Sequence, residues 1–514
     1  MSDPRRRHLW PELAYNPITV IGGALVLFAG AAIAIFYFLS LRSETDNPYT
    51  GIFTLVLFPA VLVLGLILIP LGMLFEKRRH DRGQLRLFLI NLKNPVHLRA
   101  LVVFGVGTAI FLLVSTIGLY ETYHYTESVT FCGETCHVMN PEMTAYEASA
   151  HARVACVHCH VGPGGDDYLK SKLAGARQLW HFARGDYQRP IGTPVYTLRP
   201  ARETCEECHW SDQIHRATVL VRDHYLSDRY NRRWRIELLF NTDTRDSTAS
   251  GRVGTGPTGR ESVTTGTHWH MAAENAVTYV ASDSSRQSFE QVTWTKAGQD
   301  ITYSRDGAPI SSGELASKTD KGLVRTMDCL DCHNRPAHRY LSPVESVNRA
   351  LTKGTLDPDI PWIKREAVRA LSGKWETTEA AHAAIAGHLE SFYKAQAIPL
   401  PVGAIEAVQG IHDQQMFPSM RVAWDVYPEN QGHLEFAGCF RCHGSALQTA
   451  TGERIRADCN LCHVLLSQDF VDEAPTGRVR YEPFRHPIEI QGAETALQCT
   501  DCHGGDARLY QAQK

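Results

Sequence analysis

ACVHCHV, residues 155–161, places two cysteines three positions apart with a histidine directly after the second, and the chain repeats that arrangement almost to its end. All 14 cysteines fall into such pairs. They are Cys132/Cys136 with His137, Cys156/Cys159 with His160, Cys205/Cys208 with His209, Cys329/Cys332 with His333, Cys439/Cys442 with His443, Cys459/Cys462 with His463, and Cys499/Cys502 with His503. Six are strict CxxCH, and the first, CGETCH at 132–137, carries one more residue. None is left over for a disulfide or a lone nucleophilic thiol. CxxCH is the attachment site of a c-type haem: the two thiols add to the two vinyl groups, and the adjacent histidine offers an axial nitrogen to the iron. Structural zinc also uses cysteine pairs, but it does not need a histidine directly after the second cysteine at every site. The repeats therefore predict seven covalently bound c-type haems.

The first quarter of this 514-residue chain has a different character. Thr19 to Leu41, Ile52 to Phe75 and Ala100 to Tyr120 carry no charge, and each exceeds the roughly 20 residues a helix needs to span a bilayer. The first is too long for the apolar region of a cleavable signal peptide. Positive charge flanks the spans unevenly, which sets orientation. Arg5, Arg6 and Arg7 precede the first; Lys77, Arg78, Arg79, Arg82, Arg86, Lys93 and Arg99 follow the second. Both groups are read as cytoplasmic. The N-terminus is then inside, and everything after Tyr120, all the cysteine motifs included, lies outside the cytoplasmic membrane, where c-type haem is attached. The formal net charge of −3 leaves no basic footprint for nucleic acid.

The predicted fold is mainly α and irregular: three N-terminal transmembrane helices, then a multihaem region wrapped on its haems, with a small β insertion. Four parts follow: a membrane anchor at 1–120, a domain with the first three motifs at 121–228, a β-rich insertion at 229–325 and a C-terminal domain with the last four motifs at 326–514. The insertion rests on alternating segments at Trp234 to Phe240, Ala276 to Val280, Phe289 to Thr295 and Ile301 to Ser304, bounded by Gly, Ser, Thr and Asp. Residues 360–395, rich in Ala, Glu, Lys and Leu, read as helical.

A filled second axial position makes a haem an electron carrier, and an open one suits it to catalysis. Beyond the seven motif histidines, 14 more follow Tyr120, enough to fill every site. His151, His338, His433 and His486 stand nearest to motifs; His215, His224, and His268 or His270 in THWHM come next. His224, His382, His388 and His412 serve equally well as surface or haem-edge residues. Near the first motif a thioether, Met139 or Met143, can take an axial place and raise that haem's potential.

CGETCHVMNPEM (132–143), SAHARVACVHCHVGPG (149–164), YLKSKLAG (168–175) and RPARETCEECHW (199–210) give residues 100–215 a resemblance to the NapC/NirT family of membrane-anchored multihaem quinol dehydrogenases. The remainder, with three spans and four further motifs, is similar to the larger seven-haem inner-membrane cytochromes of metal-reducing bacteria. The resemblance implies electron transfer from menaquinol in the membrane pool to periplasmic cytochromes, other redox proteins or extracellular acceptors. It implies Met139 as a ligand of the first haem, Lys172 as a contact of the quinol, and Asp186 or Asp166 as the acidic residue near that haem's open face. The residues themselves point the same way, since quinol oxidation needs a redox centre, a proton acceptor and an apolar slot at the bilayer edge. The end of the third span, Glu134, Glu142 and Lys172 offer these beside the first motif. Two alternatives remain: a multihaem reductase of nitrite, hydroxylamine or a sulfur compound, and an electron-wiring subunit of a larger respiratory complex.

Overall fold

The computed structural model describes residues 16–40, 57–80, 93, 95–135, 137–162, 164–193, 199–210, 217–242, 254–255, 261–262, 266–272, 275–296, 298–444, 446–457, 461–471 and 484–506. Cys136, His215 and Cys459 lie outside the described residues, as do Arg5, Arg6, Arg7, Arg82 and Arg86. The chain forms two compact units, Met1–Met139 and Asn140–Lys514.

The first unit holds three helices long and apolar enough to cross a membrane, α1 (Pro17–Ser40), α2 (Phe58–His80) and α3 (Pro95–Thr126). They coincide with the three uncharged runs. α1 and α2 touch through small residues: a Cβ on Gly22 would lie 2.8 Å from the Gly65 carbonyl oxygen, so only glycine allows this approach. Helices in lipid gain little from burying apolar surface and associate through such close packing. The Thr19 hydroxyl adds a bond to the Ile69 carbonyl at 3.2 Å.

In the second unit the amphipathic α4 (Gly165–Arg184) follows the second motif and ends at Gly185, whose φ of 70° is the left-handed conformation glycine tolerates. Four further helices, α5 (Pro343–Lys353), α6 (Ile363–Leu371), α7 (Thr378–Ala395) and α8 (Ala404–Gln415), make the largest apolar core. The segment expected to be helical at 360–395 is α6 and α7, separated where Thr377 caps α7 by accepting from Ala380 N–H at 3.1 Å. α7 buries Ala381, Ile385, Leu389 and Tyr393, every fourth residue, along one stripe. A fully buried leucine or isoleucine there contributes about 1.5–3 kcal/mol.

Strands β1 (Ala217–Tyr225) and β2 (Arg233–Asn241) pair antiparallel, and β3 (Asn275–Ala281), β4 (Phe289–Lys296), β5 (Gln299–Ser304) and β6 (Val324–Thr326) form a second sheet in the order β5-β4-β3-β6. Val277, Tyr279, Ala281, Phe289 and Val292 bury the inner face of this second sheet. The strands reach beyond the 229–325 segment. β1 begins ahead of it, and β2 also pairs with β7 (His463–Phe470), which sets Phe240 opposite His463. One sheet thus ties the middle of the chain to the sixth motif.

Candidate haem-binding sites

The motifs sit on short helical turns that local chemistry holds in place. Cys132 lies in Val129–Gly133, capped by Ser128, whose hydroxyl accepts from Phe131 N–H at 3.1 Å. CLDCH and CTDCH share an aspartate before the second cysteine: Asp331 accepts from Asp328 N–H at 2.8 Å, and Asp501 from Gln498 N–H at 2.9 Å. Each is a capping box that closes a four-residue helix. Tyr279 of β3 donates to Asp331 at 2.5 Å, which fastens the fourth motif to the second sheet.

All the described cysteines are free thiols, as haem attachment requires. Cysteines of different motifs come together. The turns of the third and fourth motifs pack together, with Cys205 beside Cys329. Burial pushes the Cys442 thiol up to about 12, and the exposed Cys332 lies within electrostatic reach of Cys439 and Cys442. Cys462 is raised to about 11, chiefly by burial and next by Cys439.

The histidines give the clearest geometry. His160 stands 6.2 Å, between ring centroids, from His338; His209 stands 6.2 Å from His151; His333 stands 6.2 Å from His268. His443 is 5.9 Å from His270, His463 is 6.2 Å from His433, and His503 is 6.1 Å from His486. Every motif histidine from the second motif to the seventh therefore faces a second imidazole at nearly one distance. Metal–imidazole bonds are about 2.0–2.1 Å long, so two rings trans on one metal have centroids roughly 6 Å apart. In four of the six facing histidines Nδ1 donates to a backbone carbonyl: His151 to Pro336 at 3.1 Å, His338 to Glu142 at 3.1 Å, His268 to Thr242 at 2.8 Å and His270 to Thr267 at 3.2 Å; His486 Nδ1 lies 2.7 Å from the Ile488 carbonyl and 3.3 Å from the Ile488 N. Such a bond fixes the tautomer that leaves Nε2 with its lone pair for iron. Burial pulls His270, His338 and His463 down to about 4, keeping those rings neutral as ligands must be. Spacing, tautomer and neutrality all fit haem.

Closeness in sequence does not choose the partner. His151, just ahead of the second motif, faces the third motif's histidine, and His338, just after the fourth, faces the second's. His268 and His270, weighed as alternatives, both face motif histidines; they share the 3₁₀ turn Thr267–Met271, whose three residues per turn send side chains two apart to different sides. His224 packs instead on Trp234, with ring centroids 5.8 Å apart. At the first motif, His137 and Met139 occupy one 3₁₀ turn, with Met139 half-buried.

The residues expected to touch quinol lie on or beside α4. Lys172 sits over the Tyr168 ring, 4.9 Å from its centroid. Asp186, just past the helix, is bound to His181 at 2.9 Å and to Arg184 at 3.1 Å. Asp166 is in the first turn. At 1.5 Å per residue, Asp166 is about 9 Å and Asp186 about 21 Å along the axis from Lys172, so the two acids cannot serve one small ligand. Leu169, Leu173 and Trp180 form an apolar stripe, exposed by 60%, 64% and 63%. Glu142 is half-buried, and that burial raises its carboxyl above the usual range.

Residues 94–191 match the N-terminal region of the NapC/NirT cytochrome c family. The chain is 37% identical over 506 residues, 95% of each protein, to cytochrome c-type protein ImcH of Geobacter sulfurreducens. It is 29% identical over 117 residues, 22% of this chain and 64% of the relative, to cytochrome c-type protein NrfH of Wolinella succinogenes. It is 27% identical over 145 residues, 28% of this chain and 80% of the relative, to the cytochrome c nitrite reductase subunit NrfH of Nitratidesulfovibrio vulgaris. No solved structure matches the chain. With three membrane-length helices, repeated CxxCH turns and a full-length relative at this identity, the chain belongs to the NapC/NirT family of membrane-anchored multihaem c-type cytochromes.

Proposed function

We propose that this chain oxidises membrane quinol, menaquinol first, and conducts the electrons over seven covalently attached c-type haems to periplasmic or extracellular acceptors. The observation that carries this reading is the set of six imidazole pairs, each joining a motif histidine to a second histidine at 5.9–6.2 Å. Bound between such rings, haem supplies one-electron transfer at a potential tuned by its ligands and burial. The chain's own part is to present two Nε2 atoms per site, hold the tautomers of His151, His338, His268 and His270 by Nδ1 bonds to carbonyls, and set neighbouring attachment points side by side, as at Cys205 and Cys329. Two axial imidazoles also close an iron to substrate, which favours electron conduction over reduction of nitrite or hydroxylamine at these six sites.

The first motif works differently. His137 and Met139 stand two residues apart on one turn, with Cα atoms only about 5–6 Å apart, too close to reach one iron from opposite faces. They are therefore alternatives for one axial position, and Met139 is the ligand we assign. Its thioether would raise the potential of that site above the others. Lys172 is assigned to donate to a quinone oxygen, with Leu169, Leu173 and Trp180 offering apolar surface to a lipid-soluble substrate. The N-terminus is cytoplasmic and the motifs periplasmic, from the charge flanking the spans.

Replacing Lys172 with alanine should slow reduction by a menaquinol analogue about tenfold, the equivalent of about 1.4 kcal/mol from one charge-assisted hydrogen bond. Reduction by dithionite and haem content should not change. A wild-type rate with the quinol analogue would place the quinol contact elsewhere.

A further inference from the structure

Away from the cysteine motifs, α7 and α8 bring His382, His412 and Asp413 together. His382 Nε2 lies 2.7 Å, and His412 Nδ1 3.1 Å, from the same Asp413 oxygen. One ligand atom of each residue lies within 4.8 Å of the others. His412 is the informative member. It occupies a core position of α8 beside Val408, Ile411 and Gln415, has 0% of its surface exposed, and its Nε2 makes no hydrogen bond. Trp375 closes the other side, edge-on at 5.7 Å. An aliphatic residue would fill this place at no polar cost, whereas a buried imidazole with an unsatisfied nitrogen is unfavourable unless another interaction offsets it. A metal bond at Nδ1, the nitrogen that faces Asp413, is strong enough to offset that cost, although Nε2 itself stays unpaired.

We propose that His382, His412 and Asp413 bind a divalent transition-metal ion of the zinc type. Two imidazoles and a carboxylate form a zinc donor set with bonds of about 2.0–2.2 Å, and donors in a tetrahedral shell then stand roughly 3.3 Å apart. The separations of 2.7 Å and 3.1 Å from Asp413 need to open slightly to admit the ion, and the two imidazole nitrogens lie within 4.8 Å of each other. Magnesium and calcium prefer oxygen alone and fit this set poorly. The His382 and Asp413 side chains keep 33% and 46% exposure, so the ion enters from solvent and its fourth position takes water. Because His382 belongs to α7 and the other two ligands to α8, the ion clamps two helices of the main core. The His382 and His412 rings stand 5.8 Å apart, but neither faces a motif histidine, and the site stands independently of the electron-transfer reading.

The test uses the full-length holoprotein in detergent, stripped with a chelator and dialysed against zinc chloride, with zinc and iron per chain measured by plasma mass spectrometry. Wild type should hold one more zinc than either His382→Ala or Asp413→Ala, at equal iron, and zinc should raise the melting temperature of the wild type alone. Both substitutions lie at solvent-accessible positions and spare the core residue His412. Equal zinc in the wild type and both variants, or no zinc-dependent rise in melting temperature, overturns the site.

Discussion

Between Pro343 and Gln415, apolar side chains bury one another: Val347, Ile363, Val368, Leu371, Ile385, Leu389 and Val408 each have 0% exposure. Around the cysteine motifs the same chain folds in turns of four or five residues, and Cys159, Cys208, Cys332 and Cys502 are exposed. A four-residue helix cannot sustain itself, because one turn fixes several dihedrals for a single hydrogen bond. The helical layer carries its own core, whereas the motif turns are held by caps, by sheet anchors such as Tyr279, and by whatever fills the space between facing imidazoles. The difference teaches that one polypeptide uses two kinds of interior, and that each should fail in its own way.

The largest expected effect comes from removing an attachment point. Cys329→Ala with Cys332→Ala should lower the intact mass from seven haem increments to six and reduce the yield of folded protein. This turn joins the third motif, the second sheet and the fifth motif. An unchanged mass would show that the fourth motif carries no haem. Next, Leu389→Ala in the α7 stripe should cost about 2–5 kcal/mol through the cavity it leaves. It should not alter the haem spectrum. A changed spectrum would mean that the helical core and the haem sites are not separate interiors. The smallest effect on stability should come from His338→Ala, which removes the ring facing His160 but leaves both thiols of the second motif. Electron paramagnetic resonance should then show one more high-spin haem than the wild type, with a smaller fall in melting temperature than Leu389→Ala. A fall as large as that of the core variant would erase the distinction.

Much of this was legible from residue types and spacing. The CxxCH repeats picked out the motif histidines that face second imidazoles, the uncharged runs marked α1 to α3, and alternation located β2 to β5. Pairing was not legible. His151 lies five residues ahead of Cys156 yet faces His209, because the fold folds back between the second motif and the third; local spacing carries no information on that return. β1 and β7 were missed for a related reason. Ala217–Tyr225 buries few of its residues, and His463–Phe470 begins on a motif histidine, so neither has the clean inside–outside alternation of a half-buried strand. His412 read equally well as a surface or haem-edge residue until α7 was packed against α8. The Asp331 and Asp501 capping boxes had a visible signal, the shared aspartate before the second cysteine.

The turn Thr267–Met271 has one more implication. Five residues aim one imidazole at His333 and another at His443, so two sites on different motifs share a single backbone support. In the proposed haem arrangement a small shift of that turn would change both ligand distances at once, and the two potentials would move together.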